Sequence, residues 1–275
     1  MIKPIPFLEK MNKIKFRFLH IILTVSLFFM SSIASAQEDT PKEKKWNFTA
    51  APYLILPSMN GEVGIGEQFV DVDADPGKIF DNLEGAFMFF FEASNEKWIV
   101  NFDFLYMKLG AGGTTPLLER PADVELKQLG LTFNGMYKVN DWAAVGVGFR
   151  INSIDQSFFI PALAGPGPGD IELPAIDRSA NNSWVDPLIV ARLMTRFDES
   201  NWRLGIVGDI GGFGIGSDLA WQLNPFVGYQ FSKLFEIDLA YRWLSMDYNS
   251  GGVGPDYFLY DMVISGPEIG FFFHF

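Results

Sequence analysis

Phe235-Glu236-Ile237-Asp238-Leu239-Ala240-Tyr241-Arg242-Trp243 decides the fold. Odd positions are large and apolar, ending in aromatics, while even positions carry Glu, Asp, Ala and Arg. A period of two is the signature of a β-strand with two unlike faces. The same alternation recurs in 98–106, where Trp98, Val100, Phe102, Phe104 and Tyr106 share a face, and in 202–210, where Trp202, Leu204, Ile206 and Ile210 do. It recurs again at the end of the chain, where Val263, Ile269, Phe271, Phe273 and Phe275 oppose Gly266, Glu268, Gly270 and His274. A soluble sandwich also alternates. Here the polar face is rich in glycine and small residues, as a crowded lumen needs, and the apolar face begins or ends in Trp, Tyr or Phe, as an interfacial girdle needs.

The connections agree. Tight turns flanked by aromatics join Phe91 to Trp98, Tyr137 to Trp142, Phe197 to Trp202 and Phe231 to Phe235. The intervening connections, 110–121, 156–181 and 249–256, are longer and rich in Gly and Pro. Short turns on one side and long loops on the other are the asymmetry of outer-membrane barrels. Ten strands follow: 46–57, 84–94, 97–109, 122–138, 141–155, 182–196, 201–213, 217–232, 234–248 and 257–275. The expected fold is all-β, a single antiparallel up-and-down transmembrane barrel of about ten strands, with twelve or eight as alternatives. Residues 58–83 form the first external connection, with a small hairpin, Gly61–Ile65 against Phe69–Asp73, and a short helix over Lys78–Leu83. If the hairpin extends the wall, the count becomes twelve.

Upstream of the strands, residues 1–36 read as a cleaved secretory signal. Lys10, Lys13, Lys15 and Arg17 precede the apolar run Leu19–Met30, and Ala34-Ser35-Ala36 supplies an A-x-A cleavage site. The run is too short to span a bilayer. Residues 37–45 read as a polar periplasmic tail, and 46–275 as the barrel. The full chain has 21 basic and 33 acidic residues. Removing the signal takes away five basic and one acidic residue, which leaves 16 and 32 and a formal charge of −16. That balance argues against nucleic acid. Without cysteine there is no disulfide framework, thiol nucleophile or Cys-ligated metal.

Several phrases resemble an uncharacterised family of bacterial outer-membrane β-barrel proteins, small porin-like or opacity-type barrels. They are Pro52-Tyr53-Leu54 with Gly61–Gly66, Ile79-Phe80-Asp81-Asn82-Leu83, Ser183-Trp184-Val185-Asp186-Pro187, Gly208–Gly214 with Ser217-Asp218 and Trp221-Gln222, and Ser265-Gly266-Pro267. The terminal Phe275 is similar to the signal by which such barrels are recognised for assembly. The resemblance implies a barrel in the bacterial outer membrane, with lipid and the barrel-assembly machinery, through the C-terminal strand, as its partners. It implies no catalytic residues and no cofactor.

The inward face collects Glu92, Asp103, Arg150, Asp186, Arg192, Arg203, Asp209, Glu236, Asp238, Arg242 and Glu268. A narrow barrel must fill its interior, and inward charges must pair or stay wet. We therefore expect a salt-bridged lumen in a monomer, acting as a narrow cation-preferring pore or a structural barrel. The alternative is a surface binding or adhesion protein working through loops 58–83 and 156–181. Asp71-Val72-Asp73-Ala74-Asp75 is not an EF-hand, because Pro76 and Asn82 stand where that loop needs Gly and Glu. The Gly-rich 208–216 lacks the lysine of a phosphate loop. Beyond residue 36 the sole histidine is His274, at the periplasmic rim, which leaves no base for an outward-facing hydrolytic site. No catalytic, metal or cofactor residues are expected.

Overall fold

The computed structural model describes residues 45–66, 68–114, 121–162, 175–197, 200–252, 254 and 257–275. The expected signal 1–36 and all of the tail before Lys45 lie outside the described residues. Twelve strands are present: β1 (Asn47–Ile55), β2 (Ser58–Ile65), β3 (Gln68–Ala74), β4 (Leu83–Ser94), β5 (Trp98–Thr114), β6 (Pro121–Lys138), β7 (Ala143–Ile160), β8 (Ile176–Arg196), β9 (Trp202–Gly212), β10 (Leu219–Gln230), β11 (Phe235–Asn249) and β12 (Phe258–His274). Among the described residues one short helix, α1 (Pro76–Asp81), lies between β3 and β4.

Every pairing is antiparallel, and β1-β4-β5-β6-β7-β8-β9-β10-β11-β12 closes through β1–β12 into a ring of ten. Closure removes the unpaired edges that lipid cannot satisfy. The β2–β3 hairpin does extend the wall. The lower part of β12, Glu268–His274, pairs with β1, and its upper part, Phe258–Ser265, pairs with β2. The sheet therefore has twelve strands, ten of them in the closed ring.

Some boundaries differ from the sequence reading. Residues 156–181 read as a loop, but β7 runs to Ile160 and β8 starts at Ile176, paired to one another throughout. Gln156, Ser157 and Ser179 are polar, so the membrane pattern stops there while the ladder continues into water. The connection 110–121 behaves alike, with Gly110 facing Glu125 and Thr114 facing Pro121. Residues 163–174, between β7 and β8 in the sequence, lie outside the described residues. The helix begins earlier than expected, at Pro76. Asp75 caps it by accepting from the Lys78 amide at 3.0 Å, and Pro76 suits the first turn, where its missing N–H costs nothing.

The periplasmic turns are closed by local side chains. Asn95 Oδ1 accepts from the amides of Lys97 and Trp98, and Asn140 Oδ1 from those of Trp142 and Ala143. Ser200 Oγ accepts from the amide of Trp202, and Ser232 Oγ from those of Leu234 and Phe235. These are the Asx and Ser turns that such residues favour. Around this rim runs an aromatic belt, with contacts such as Trp98–Tyr137, Trp202–Tyr229, Tyr229–Phe231 and Phe235–Phe273. On β11 the opposite belt is the Tyr241–Trp243 pair. From Phe235 to Trp243 a tilted strand rises about 20 Å, close to the apolar height of such barrels. Between the belts Leu239, Ile189, Val147 and Leu204 are exposed on the outside.

Candidate functional site: the filled lumen

Even positions of β11 and β12 and odd positions of β5 and β9 turn inward, and parity sorts the lumen into layers. Climbing β11 from the periplasm, the inward buried residues are Glu236, Asp238, Arg242, Leu244 and Met246. Climbing β12 from its C-terminus they are Gly270, Gly266, Ile264, Met262, Tyr260 and Phe258. The interior is thus ionic near the periplasm and apolar near the outside.

The lowest layer is centred on Glu236, whose side chain is fully buried. Arg203 reaches it through Nε at 2.6 Å and reaches Asp238 through Nη2 at 2.6 Å. Its guanidinium lies over Phe226 and Phe272, at 5.0 and 5.6 Å from the ring centres. His274 Nε2 stands 3.3 Å from Glu236, while its Nδ1 meets Thr49 Oγ1 at 3.0 Å. The half-exposed Arg196 approaches Glu236 at 3.5 Å. Nearby, Arg192 pairs with Glu92 at 2.7 Å.

The middle layer holds two clusters. Arg242 pairs with Asp103 at 3.0 Å and with Glu268 at 2.7 Å. Its Nη1 also donates to the Tyr53 hydroxyl, which donates in turn to Asp103 at 2.6 Å. Arg150 grips Asp209 with one nitrogen on both carboxylate oxygens, at 3.0 and 2.8 Å, and donates to Thr132 Oγ1. These side chains are only 3% and 1% exposed, so the pair is dry, and its worth depends on complete satisfaction. Ten of the eleven inward charges named from the sequence therefore sit in ion pairs.

Asp186 has no cation partner among the described residues. It is fully buried and accepts instead from Asn152 Nδ2 (2.8 Å), Trp184 Nε1 (3.1 Å), the Ser217 amide (2.6 Å) and Ser217 Oγ (3.0 Å). Four donors on one carboxylate replace a counter-charge. The bonds to Ser217 tie the β9–β10 connection to β8. Gly212, Phe213 and Gly214 make that connection with positive φ, and a side chain at Gly216 would strike the Val185 carbonyl. Two phrases of the sequence, Trp184-Val185-Asp186-Pro187 and Gly208–Gly214 with Ser217-Asp218, are thereby brought into contact.

The outer layer is an apolar cluster of Met59, Ile79, Met107, Ile154, Trp184, Leu244, Met246, Phe258, Tyr260, Met262 and Ile264. Trp184 stacks face to face on Tyr248, with centres 4.0 Å apart. Between this cluster and the Arg150 and Arg242 layer lies a polar cavity of about 20 Å³ open to a water centre, room for roughly one water molecule. Among the described residues no group of side chains is arranged to hold a metal ion.

Tyr53, Thr132, Asn152, Arg196, Ser217 and His274 belong to these layers but were not among the inward charges read from sequence. Strand parity points to Arg196, which follows Arg192 on the same face of β8. Nothing local announces Ser217, which reaches Asp186 from a loop.

Among known proteins, no family model and no curated protein matches the chain. Solved structures do. The outer membrane protease OmpT from Escherichia coli superposes with a TM-score of 0.54 at 8% identity, covering 86% of this chain and 99% of that one. The translocator domain of the autotransporter NalP from Neisseria meningitidis gives 0.40 at 10% identity, covering 94% and 97%. Likeness at this identity concerns the fold alone. With OmpT the chain shares a closed antiparallel β-barrel, and the apolar exterior bounded by aromatic belts makes that barrel an outer-membrane one, in lipid through its ring of ten strands.

Proposed function

We propose that the protein is a filled outer-membrane barrel: a structural, membrane-anchored body that passes at most a small cation-preferring current and is not an enzyme. The observation that carries this reading is the occupation of the lumen from end to end, by two ionic layers and then an apolar one. Ten strands lie just above the size whose interior side chains can fill. The inward acids outnumber the bases, so a residual water path favours cations. His274 is held at the periplasmic end by Thr49 and Glu236, remote from the external connections. Insertion through the general barrel-assembly machinery, engaging β12 and Phe275, fits the same reading.

Single-channel recording of refolded protein in planar bilayers tests it. We expect a silent or barely conducting barrel that prefers potassium over chloride. A large or anion-selective conductance refutes the proposal. A second reading, a surface binding protein acting through 58–83 and 156–181, is favoured by the exposure of Phe69, Val70 and Phe80 at the outer end. Loss of binding to a cell surface on removal of β2 and β3, with assembly intact, supports that alternative.

A further inference from the structure

The wall divides at a seam on its outer half. β1 pairs with β4 only from Asn47 to Pro52, and above that point β2 and β3 carry the wall instead. β3 ends the sheet: among the described residues it pairs with β2 alone, so its other edge is an open ladder. The neighbouring bonds tell which residues serve that edge. The Gly66 amide donates to the Tyr257 carbonyl, so even positions of β2 aim their backbone groups at β12 and odd positions aim theirs at β3. Val63 and Gly61 face Val70 and Val72, which therefore spend their groups on β2. Phe69, Asp71 and Asp73 point theirs away from β2, at the open edge. Lys78 agrees: its ammonium reaches the Asp73 carbonyl at 3.2 Å and lies 3.8 Å from the Asp75 carboxylate.

The same three residues carry a charge pattern. Met59, Val63 and Val72 of the hairpin pack in or against the outer apolar cluster. Phe69, Asp71 and Asp73 take the opposite parity and are exposed on the outside. Asp71 faces Glu62, Glu62 faces Asp261 and Asp261 faces Asp247, so four carboxylates stand in line across β3, β2, β12 and β11. Like charges directly opposite one another destabilise a sheet. None of the four is ion-paired among the described residues. Asp247 follows the belt residue Trp243 by four positions, about 10 Å higher on a tilted strand, where the sheet stands in water.

An open ladder calls for a strand, and an uncompensated line of acids calls for cations. A second copy of β3 fits poorly, because its fullest antiparallel overlap sets Asp71 against Asp71. We infer that the open edge of β3 is a docking site for an extended cationic polypeptide segment, added as a further strand beside it. Facing Asp73, Asp71 and Phe69 in turn, an antiparallel segment carries a basic residue, a second one two positions on, and an aromatic or aliphatic one two further. The aspartates that keep β3 from pairing with its like thereby select its partner. The inference rests on the second reading above, binding through 58–83, and gives it a partner; it holds whether or not the barrel conducts.

The probe is a rhodamine-labelled peptide, Ac-Thr-Lys-Thr-Arg-Thr-Tyr-Thr-amide, titrated by fluorescence anisotropy with the full barrel in nanodiscs of zwitterionic lipid. A version with Glu at both basic positions should bind about tenfold more weakly, since two cross-strand attractions become repulsions. N-methylation of the Lys and Arg removes N–H groups that face β3 and should also weaken binding by about tenfold. N-methylation of the two inner Thr residues, whose N–H groups face away, should change little. Asp71→Asn/Asp73→Asn should weaken the basic peptide by about threefold to tenfold. Asp71→Pro also removes an edge N–H that β2 does not use, so it should weaken the peptide more than Asp71→Asn does. Heat-modifiable migration of each variant shows that its ring is intact. The inference is overturned if basic and acidic peptides bind the folded barrel alike, or if the two N-methylated forms do, which is attraction to charge without strand pairing. It is overturned in favour of a second copy if the barrel self-associates and Asp71→Pro abolishes the association. Binding to cells that needs β2 and β3, without binding of the basic peptide, sinks it too and leaves the second reading standing.

Discussion

Replacing Arg150 by Met strands Asp209 inside the barrel. Both carboxylate oxygens lose their charged donor, and the side chain is 1% exposed, so water does not substitute. Breaking a buried pair from one side costs about 3–5 kcal/mol. The carboxylate can escape by taking up a proton, which from an ordinary value of ~3.9 costs about 4 kcal/mol at pH 7 and about 1.5 kcal/mol at pH 5. The expected loss at pH 7 is therefore about 3–4 kcal/mol, and it shrinks as pH falls. The double variant Arg150→Met/Asp209→Leu removes both charges and should recover most of the loss. Arg196→Met supplies the contrast: its side chain is 44% exposed and 3.5 Å from Glu236, so it should cost about 0–1 kcal/mol. Reversible urea unfolding from lipid vesicles, followed by tryptophan fluorescence, measures all three. If Arg150→Met loses less than Arg196→Met, or if the double variant is no better than the single, the dry-pair reasoning is wrong.

Further outcomes follow from other parts of the wall and rim. Leu239→Arg, on the lipid face, should destabilise by about 2–4 kcal/mol near the midplane, whereas Ala240→Ser, facing inward, should cost far less; equal costs in the same unfolding assay mean that the faces are misassigned. Ser217→Ala removes one of the four bonds to Asp186 directly and should cost about 1–3 kcal/mol. Gly216→Val, which collides with the Val185 carbonyl, should free the β9–β10 connection for external protease while the rest of the barrel stays resistant. The Asp75 carboxyl is held below its ordinary range by the Lys78 amide that it caps. Its support for α1 is present above the unfolded value and fades as pH falls through the lowered one. Amide exchange at Ile79 and Phe80, corrected for intrinsic rates, should show this loss in the native chain but not in Asp75→Asn.

The ring and its inward charges were legible because two solvents disagree sharply between the girdles. Lipid demands apolar residues outside, and the lumen admits Glu236, Asp238 and Arg242 inside, so parity alone orients β11. Beyond the girdles that contrast fades. Asp155 and Ser157 face water on one side of β7 while Ile154 faces the lumen, and a Pro-rich sequence follows; the pattern resembles a loop although the ladder persists. The outer apolar cluster was hidden for the opposite reason. Along β12 both faces are apolar at Val263 and Ile264, so hydropathy does not distinguish lipid from lumen there. The seam was invisible because strand pairing across β1 and β4 depends on a register that Pro52 ends, and one sequence without a partner strand carries no register.

The middle layer joins chain segments that are far apart in order of synthesis: Arg242 meets Tyr53 across 189 residues, and Phe48 and Phe275 exchange backbone hydrogen bonds at 2.8 and 2.9 Å. None of these contacts exists in an unfinished ring. An arc of β4 to β11 entering the bilayer carries Asp103 and an Arg242 still without Glu268 and Tyr53 on its concave side, where they must stay hydrated until β12 and β1 meet. Dehydration of the interior is therefore a late event, coupled to the meeting of the first and last strands. The penalty for a charge left wet or alone is levied on that step, and it makes ring completion close to all-or-none.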